Sequence, residues 1–123
     1  MTTLIVTIIA GKNLKDEDMG AGKNDAYVEV YVDDDYKQRT KTINDSNNPK
    51  WNDQMDFNLN GNERHLHLHV YDQDTGSDDS IGSAQIDLQE IRQGGYNKWV
   101  PIHDHGFGRL GKDGQVHVKA HIN

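Results

Sequence analysis

Apolar and polar residues alternate with a period of two along most of this chain, and helical periodicity is missing. Successive side chains of a strand point to opposite faces, so this pattern suits strands with one buried and one wet face. Leu4 to Ala10 forms a first strand, apolar on both faces and therefore central, and Ala26 to Val32 a second with Val28, Val30 and Val32 on one side. Lys37 to Ile43 makes a third strand that aligns Lys37, Arg39 and Lys41. A fourth sets Met55, Phe57 and Leu59 against Asp56, Asn58 and Asn60. His65 to Tyr71, Gly82 to Leu88 and Trp99 to Ile102 follow, with Pro101 implying an edge. Gln89 to Asn97 is a connector with one helical turn broken at Gly94-Gly95, and Gln115 to Ile122 is the last strand. Eight short strands with turns every eight to twelve residues or so predict an all-β antiparallel sandwich. A chain of 123 residues makes one domain, 1–123.

If consecutive strands run in opposite directions, the loops after strands one, three, five and seven share an end. The loop Lys12–Asn24 then neighbours Asp72–Ser80, and Asp33-Asp34-Asp35 falls at the far end as a solvated turn. The first loop carries Asp16, Glu17, Asp18 and Asp25; the other carries Asp72, Asp74, Asp78 and Asp79 with no Lys or Arg among them. Two carboxylates about 4 Å apart repel by roughly 4 kcal/mol at an effective dielectric near 20. Such a gathering needs a cation or must splay into water. Calcium takes about six to eight oxygen ligands and suits a flexible, sulfur-free cup of this kind. The cup has room for more than one ion with bridging carboxylates.

Several classes fall away. A net charge of −7 argues against nucleic acid, whose affinity comes from neutralised phosphates. The chain has no cysteine, which removes a disulfide framework and a thiolate zinc site. No apolar run reaches the roughly 20 residues of a membrane span. Met1-Thr2-Thr3-Leu4 lacks the basic start of a secretory leader, so a cytoplasmic setting is expected. No Gly-x-Ser-x-Gly, His-Glu-x-x-His or phosphate loop is present, so the chain is not read as an enzyme. An EF-hand fails too: counted from Asp72, Ser77 stands where its glycine belongs and Ser83 where its glutamate belongs.

Five blocks occur in order: Asp18-Met19-Gly20, Asn24-Asp25-Ala26-Tyr27-Val28, Asn48-Pro49-Lys50-Trp51-Asn52-Asp53, Val70-Tyr71-Asp72-Gln73-Asp74 and Asp79-Ser80-Ile81-Gly82. Together they resemble the C2 domain, the calcium-dependent phospholipid-binding module of protein kinase C and synaptotagmin. The resemblance covers essentially the whole chain. It implies an eight-stranded sandwich of the permuted, type II topology. By the same resemblance, Asp18, Asp25, Asp72, Asp74 and Asp79 are calcium ligands, with the main-chain carbonyls of Glu17 and Gln73. It further implies reversible docking on an anionic, phosphatidylserine-like membrane surface by a monomer, peripheral to the membrane. Met19 and Lys23 are the lipid contacts at the loop tips, and Arg39 and Lys41 those on the basic strand face. The chain departs from the family pattern in three places. Ala26 replaces the usual proline, and the loop tips are mostly small residues. The third loop is about one residue short, which leaves Asp78 an alternative to Asp79; spacing to Gly82 favours Asp79.

Other groupings receive plainer readings. His65, His67 and His69 share one strand face, and His117 and His121 another; both read as polar outer faces rather than zinc sites. His103 and His105 belong to the loop at the acidic end. Trp51 and Trp99 read as packing residues. A calcium-independent protein-interaction module, with a protein partner on the sandwich faces, is the alternative function.

Overall fold

The structure, a computed structural model, describes residues 2–15, 22–33, 37–104 and 113–123. Among these residues the strands are β1 (Thr2–Lys12), β2 (Ala26–Val32), β3 (Gln38–Arg39), β4 (Lys50–Leu59), β5 (His65–Asp72), β6 (Asp79–Asp87), β7 (Tyr96–Pro101) and β8 (Gln115–Ile122). They form two antiparallel sheets, ordered β4–β1–β8–β7 and β3–β2–β5–β6. The order is consistent with the type II arrangement. β1 is central as expected, hydrogen-bonded to β4 on one side and β8 on the other; Leu4, Val6 and Ile8 are buried, while Ile5 and Ile9 are half-buried. Pro101 lies on the edge strand β7, where its missing N–H interrupts no ladder.

Alternation builds the core. Leu4, Val6 and Ile8 from β1, Met55, Phe57 and Leu59 from β4, and Val116, Val118 and Ala120 from β8 face inward from one sheet. Val28, Val30 and Val32 from β2 meet them from the other, with Leu66, Leu68 and Val70 from β5. Ile86 and Ile81 of β6 are buried, although a bulge between Val70 and Tyr71 shifts the register there. A short helix α1 (Leu88–Arg92) is capped by the Asp87 carboxylate on the Gln89 N–H and drops Leu88 and Ile91 into the core. Gly94 and Gly95, both at positive φ, end it as expected.

Three strands differ most from the sequence expectation. β6 begins at Asp79 rather than Gly82, and β7 begins at Tyr96 rather than Trp99. β3 holds only Gln38 and Arg39, not Lys37 to Ile43. Thr40 interrupts it: its buried hydroxyl accepts from the Val28 N–H at 2.9 Å and donates to the Lys41 carbonyl at 2.8 Å. The three-cation row is therefore broken. Lys37 and Arg39 face tyrosines of β2, while the Lys41 ammonium turns to Asp53 of β4 in the other sheet at 3.5 Å.

The alternation of loop ends holds for the described residues. Asp33, at φ 51°, lies at the opposite end and accepts from the N–H groups of Arg64 and His65 at 3.1 and 3.0 Å. It is a turn lock rather than a freely solvated acid; Asp34 and Asp35 lie outside the described residues.

Candidate metal centre

The register of β2 against β5 sets Ala26 opposite Asp72, and this brings the first and third acidic loops together. The Asp25 N–H donates to Asp72 Oδ1 at 2.8 Å, and the Gln73 N–H donates to the Asp25 carbonyl at 2.8 Å. The second loop closes on the same point: Asp25 Oδ1 accepts from the Asp45 N–H at 2.7 Å. Thr42 Oγ1 donates to Gln73 Oε1 at 2.6 Å. An open cleft of about 490 Å³ results, lined by Asp25, Thr42, Asn44, Gln73, Asp74 and Thr75.

The chemistry of this cleft is that of hard oxygen donors, without nitrogen or sulfur ligands, as calcium requires. Asp25, Asp72 and Asp74 each have one carboxylate oxygen held by a main-chain N–H; for Asp74 the donor is Thr75 at 2.7 Å. Ligating carboxylates are commonly oriented by such outer hydrogen bonds. Asp79 is exposed at the start of β6, in register with Asp72. Among the described residues no three acidic, histidine or cysteine side chains stand close enough to hold an ion. Asp18 and Glu17, the first-loop members of the expected ligand set, lie outside the described residues, as do Asp16 and Met19.

Asp78 is engaged elsewhere. Its Oδ2 accepts from the Tyr27 hydroxyl at 2.5 Å and its Oδ1 from the Asp74 N–H at 3.0 Å. Tyr27 stands on the outer face of β2, stacked on Tyr71 at 5.4 Å and covered by the Arg39 guanidinium 3.6 Å from its centroid. Burial, with the Asp78 hydrogen bond added, pushes the Tyr27 hydroxyl up to about 12. The Tyr27 hydrogen bond in turn holds the Asp78 carboxyl below the usual range. Any stability this contact lends is present above the unfolded Asp range and is lost as pH falls through the lower folded value. Tyr27→Phe removes the main cause, so Asp78 should titrate at a higher pH in the variant, read by NMR of its side-chain carboxyl carbon. An unmoved midpoint would mean that the phenol does not hold the acid.

The remaining expected residues are scattered over the molecule. Lys23 is exposed, with its N–H on Asp45 Oδ1 at 3.0 Å. The Arg39 side chain is held by Thr42 Oγ1 at 2.7 Å as well as by Tyr27. The histidine rows stand on different sheets, His65, His67 and His69 on β5 and His117 and His121 on β8, so they cannot share one ion. His67 stacks on Tyr31 at 4.7 Å and His69 on Tyr71 at 4.1 Å. His103 bridges to Ser83 through the main chain, and His105 lies outside the described residues. Trp51 is fully buried, as a packing residue should be. Trp99 is not: it is 38% exposed on β7, stacked on His117 and capped by the Lys12 ammonium. Its neighbours Lys98 and Asn97 are exposed too, since β7 is an edge strand.

Sequence reasoning missed the polar support under the rim. Asn24 is 3% exposed, and its Nδ2 donates to the Lys15 carbonyl at 2.8 Å and to Asn47 Oδ1 at 2.7 Å. Lys15 pairs with Asp104 across 89 positions. No local pattern marks such a contact, since each residue sits in an ordinary polar run.

Residues 2–102 match the family described as C2 domain. A calcium-dependent lipid-binding protein from Arabidopsis thaliana is 32% identical over 92 residues, which cover 74% of this chain and 18% of that protein. Synaptotagmin-5 from the same plant is 34% identical over 119 residues, covering 94% of this chain and 20% of that protein. This chain thus spans about a fifth of the length of these relatives. A C2 domain of plant Extended Synaptotagmin 1 superposes with a TM-score of 0.86 at 18% identity, covering 98% of this chain and 93% of that one, a likeness of fold. With the match running from the first strand to just past the seventh, the chain belongs to the C2 domain family.

Proposed function

We propose that this chain is a calcium-binding module that docks reversibly on anionic phospholipid through the loops at its acidic end. The observation that carries the proposal is the Asp25 N–H to Asp72 Oδ1 hydrogen bond, which ties two distant acidic segments to one apex. Asp25, Asp72, Asp74 and Asp79, with Asp18 from the first loop, supply the carboxylates, and Glu17 and Gln73 supply main-chain carbonyls. Tyr27 keeps Asp78 on the sheet face, which favours Asp79 as the fifth ligand. Unneutralised, the five carboxylates repel both one another and an anionic surface. Bound calcium supplies the opposing charge, about +4 from two ions, and open positions for lipid phosphate or carboxylate oxygens. Met19 and Lys23 then meet the lipid at the loop tips, and Arg39 and Lys41 approach it from the sides. The setting is cytoplasmic and the unit monomeric, with an anionic, phosphatidylserine-like membrane surface as its partner.

Calcium titration calorimetry on the full chain, with and without phosphatidylserine vesicles, tests this. Saturating calcium should raise the melting temperature, because an ion bound by the folded form alone stabilises it by about 2.7 kcal/mol at one hundred times its Kd. Vesicles should tighten the apparent affinity. No heat, together with a melt unchanged in millimolar calcium, would remove the proposal. Capture of a protein partner that persists in chelator would replace it with an interaction module.

A further inference from the structure

A second group of charges lies beneath the rim, apart from the candidate ligands. Lys15, in the loop that follows β1, has its side chain 8% exposed, and its ammonium stands 2.7 Å from Asp104 Oδ2 and 3.9 Å from Asp113 Oδ1. Asp113 is fully buried. Its Oδ2 accepts from the Asp104 N–H at 2.8 Å, while its Oδ1 accepts no hydrogen bond among the described residues. The main chain repeats the connection, since the Lys15 N–H donates to the Asp113 carbonyl at 3.1 Å. Gly114, at φ 111°, completes the fit: a Cβ there would come within 2.9 Å of the Asn13 carbonyl and of Leu14 Cα.

An exposed ion pair of this kind would do little. Asp104 is about a third exposed, but the Lys15 and Asp113 side chains are buried, and there each member needs the other to offset its lost hydration. The group fixes geometry across 89 positions of chain, joining the residue that opens the first loop to the loop after β7. Asn24, at the other foot of the first loop, is tied to the same place through its side chain on the Lys15 carbonyl. Both feet of the segment 16–23 are therefore pinned, one to the last loop and one, through Asn47, to the second.

We propose that Lys15 is a positioning residue: its ammonium, clamped between Asp104 and Asp113, sets the calcium affinity of the rim by fixing the foot of the first loop. The inference rests on the calcium-binding reading above. Its direction separates it from simple electrostatics. Removing a cation near an acidic cup should tighten calcium binding by Coulomb's law. Loosening a supporting contact of a metal site weakens binding, typically by 10–100-fold.

The experiment compares calcium titration calorimetry of the full chain with that of Lys15→Met, well below both melting temperatures. Lys15→Met leaves a buried acid unpaired and can fail to fold. A second variant therefore combines Lys15→Met with Asp113→Asn, which keeps the net charge of the group at −1. Affinity should fall about tenfold or more in the double variant. In chelator, exchange of the Lys15 and Asn24 amides should quicken. Unchanged or tighter calcium binding in the double variant, beside normal binding by the natural chain, would overturn the positioning role alone. Absence of calcium binding by the natural chain would overturn both this role and the reading beneath it.

Discussion

Replacing Trp51 with alanine is expected to destabilise the chain by about 3–5 kcal/mol, the usual loss for a buried large aromatic. The indole is fully buried on β4, and its Nε1–H donates to the Ala26 carbonyl in the other sheet at 3.0 Å. It packs close to Gly11, where an added Cβ would sit 3.1 Å from the ring. Neither β2 nor β1 can collapse far into the space left behind, because both are held in ladders on two sides. Trp51→Phe keeps most of the volume and loses the hydrogen bond. Its cost should be nearer 1 kcal/mol, since the Ala26 carbonyl still accepts from the Ile43 N–H at 3.0 Å. Urea unfolding followed through Trp99 fluorescence measures both. A Trp51→Ala variant within 1 kcal/mol of the natural chain would show that the ring does not lock the sheets. Ala26 is bonded to Asp25 and registered with Asp72, so the alanine variant should also loosen the acidic apex.

That link between core and rim explains what could be foreseen. Alternation was enough to find the strands, because one face of each is buried and a one-residue slip would turn every apolar side chain to water. Strand direction then followed from short turns, and with it the meeting of the Asp25 and Asp72 loops. Strand ends were harder. β3 stops where Thr40 gives its side chain to the main chain of Val28, a choice that propensity does not encode. The same event sends Lys41 to Asp53 and removes it from the face that carries Arg39. Trp99 shows a related limit: its sequence context resembles a core strand, and only the fold reveals that its ring lies partly exposed on the edge strand, against His117 and Lys12 rather than in the core. Tyr27 was legible only as part of a motif. Its hydrogen bond with Asp78 depends on the bulge after Val70 and on the path of a loop fifty residues away. Contacts such as Lys15 with Asp104 have no signature short of the fold itself.

Asp72 variants are expected to separate the structural work of this carboxylate from the ligand role proposed for it. Its Oδ1 accepts the Asp25 N–H, and hydrogen bonds to a charged acceptor contribute roughly 1.5–3 kcal/mol. In chelator, Asp72→Ala should lower stability by about that amount. Asp72→Asn keeps an oxygen acceptor at the same place and should lose much less, and it also relieves repulsion among the neighbouring acids. With calcium the order changes. Both variants lack the charge of Asp72, so both should lose most of the calcium-induced rise in melting temperature. At one hundred times Kd that rise corresponds to about 2.7 kcal/mol in the natural chain. The paired melts therefore give four numbers from two sources. A full calcium response in Asp72→Asn would show that the residue serves only as the clasp between loops. An alanine variant as stable as the natural chain in chelator, yet deaf to calcium, would make it a ligand alone. The geometry predicts both losses, because one oxygen fixes the Asp25 backbone while the carboxylate as a whole stands at the meeting of the two loops.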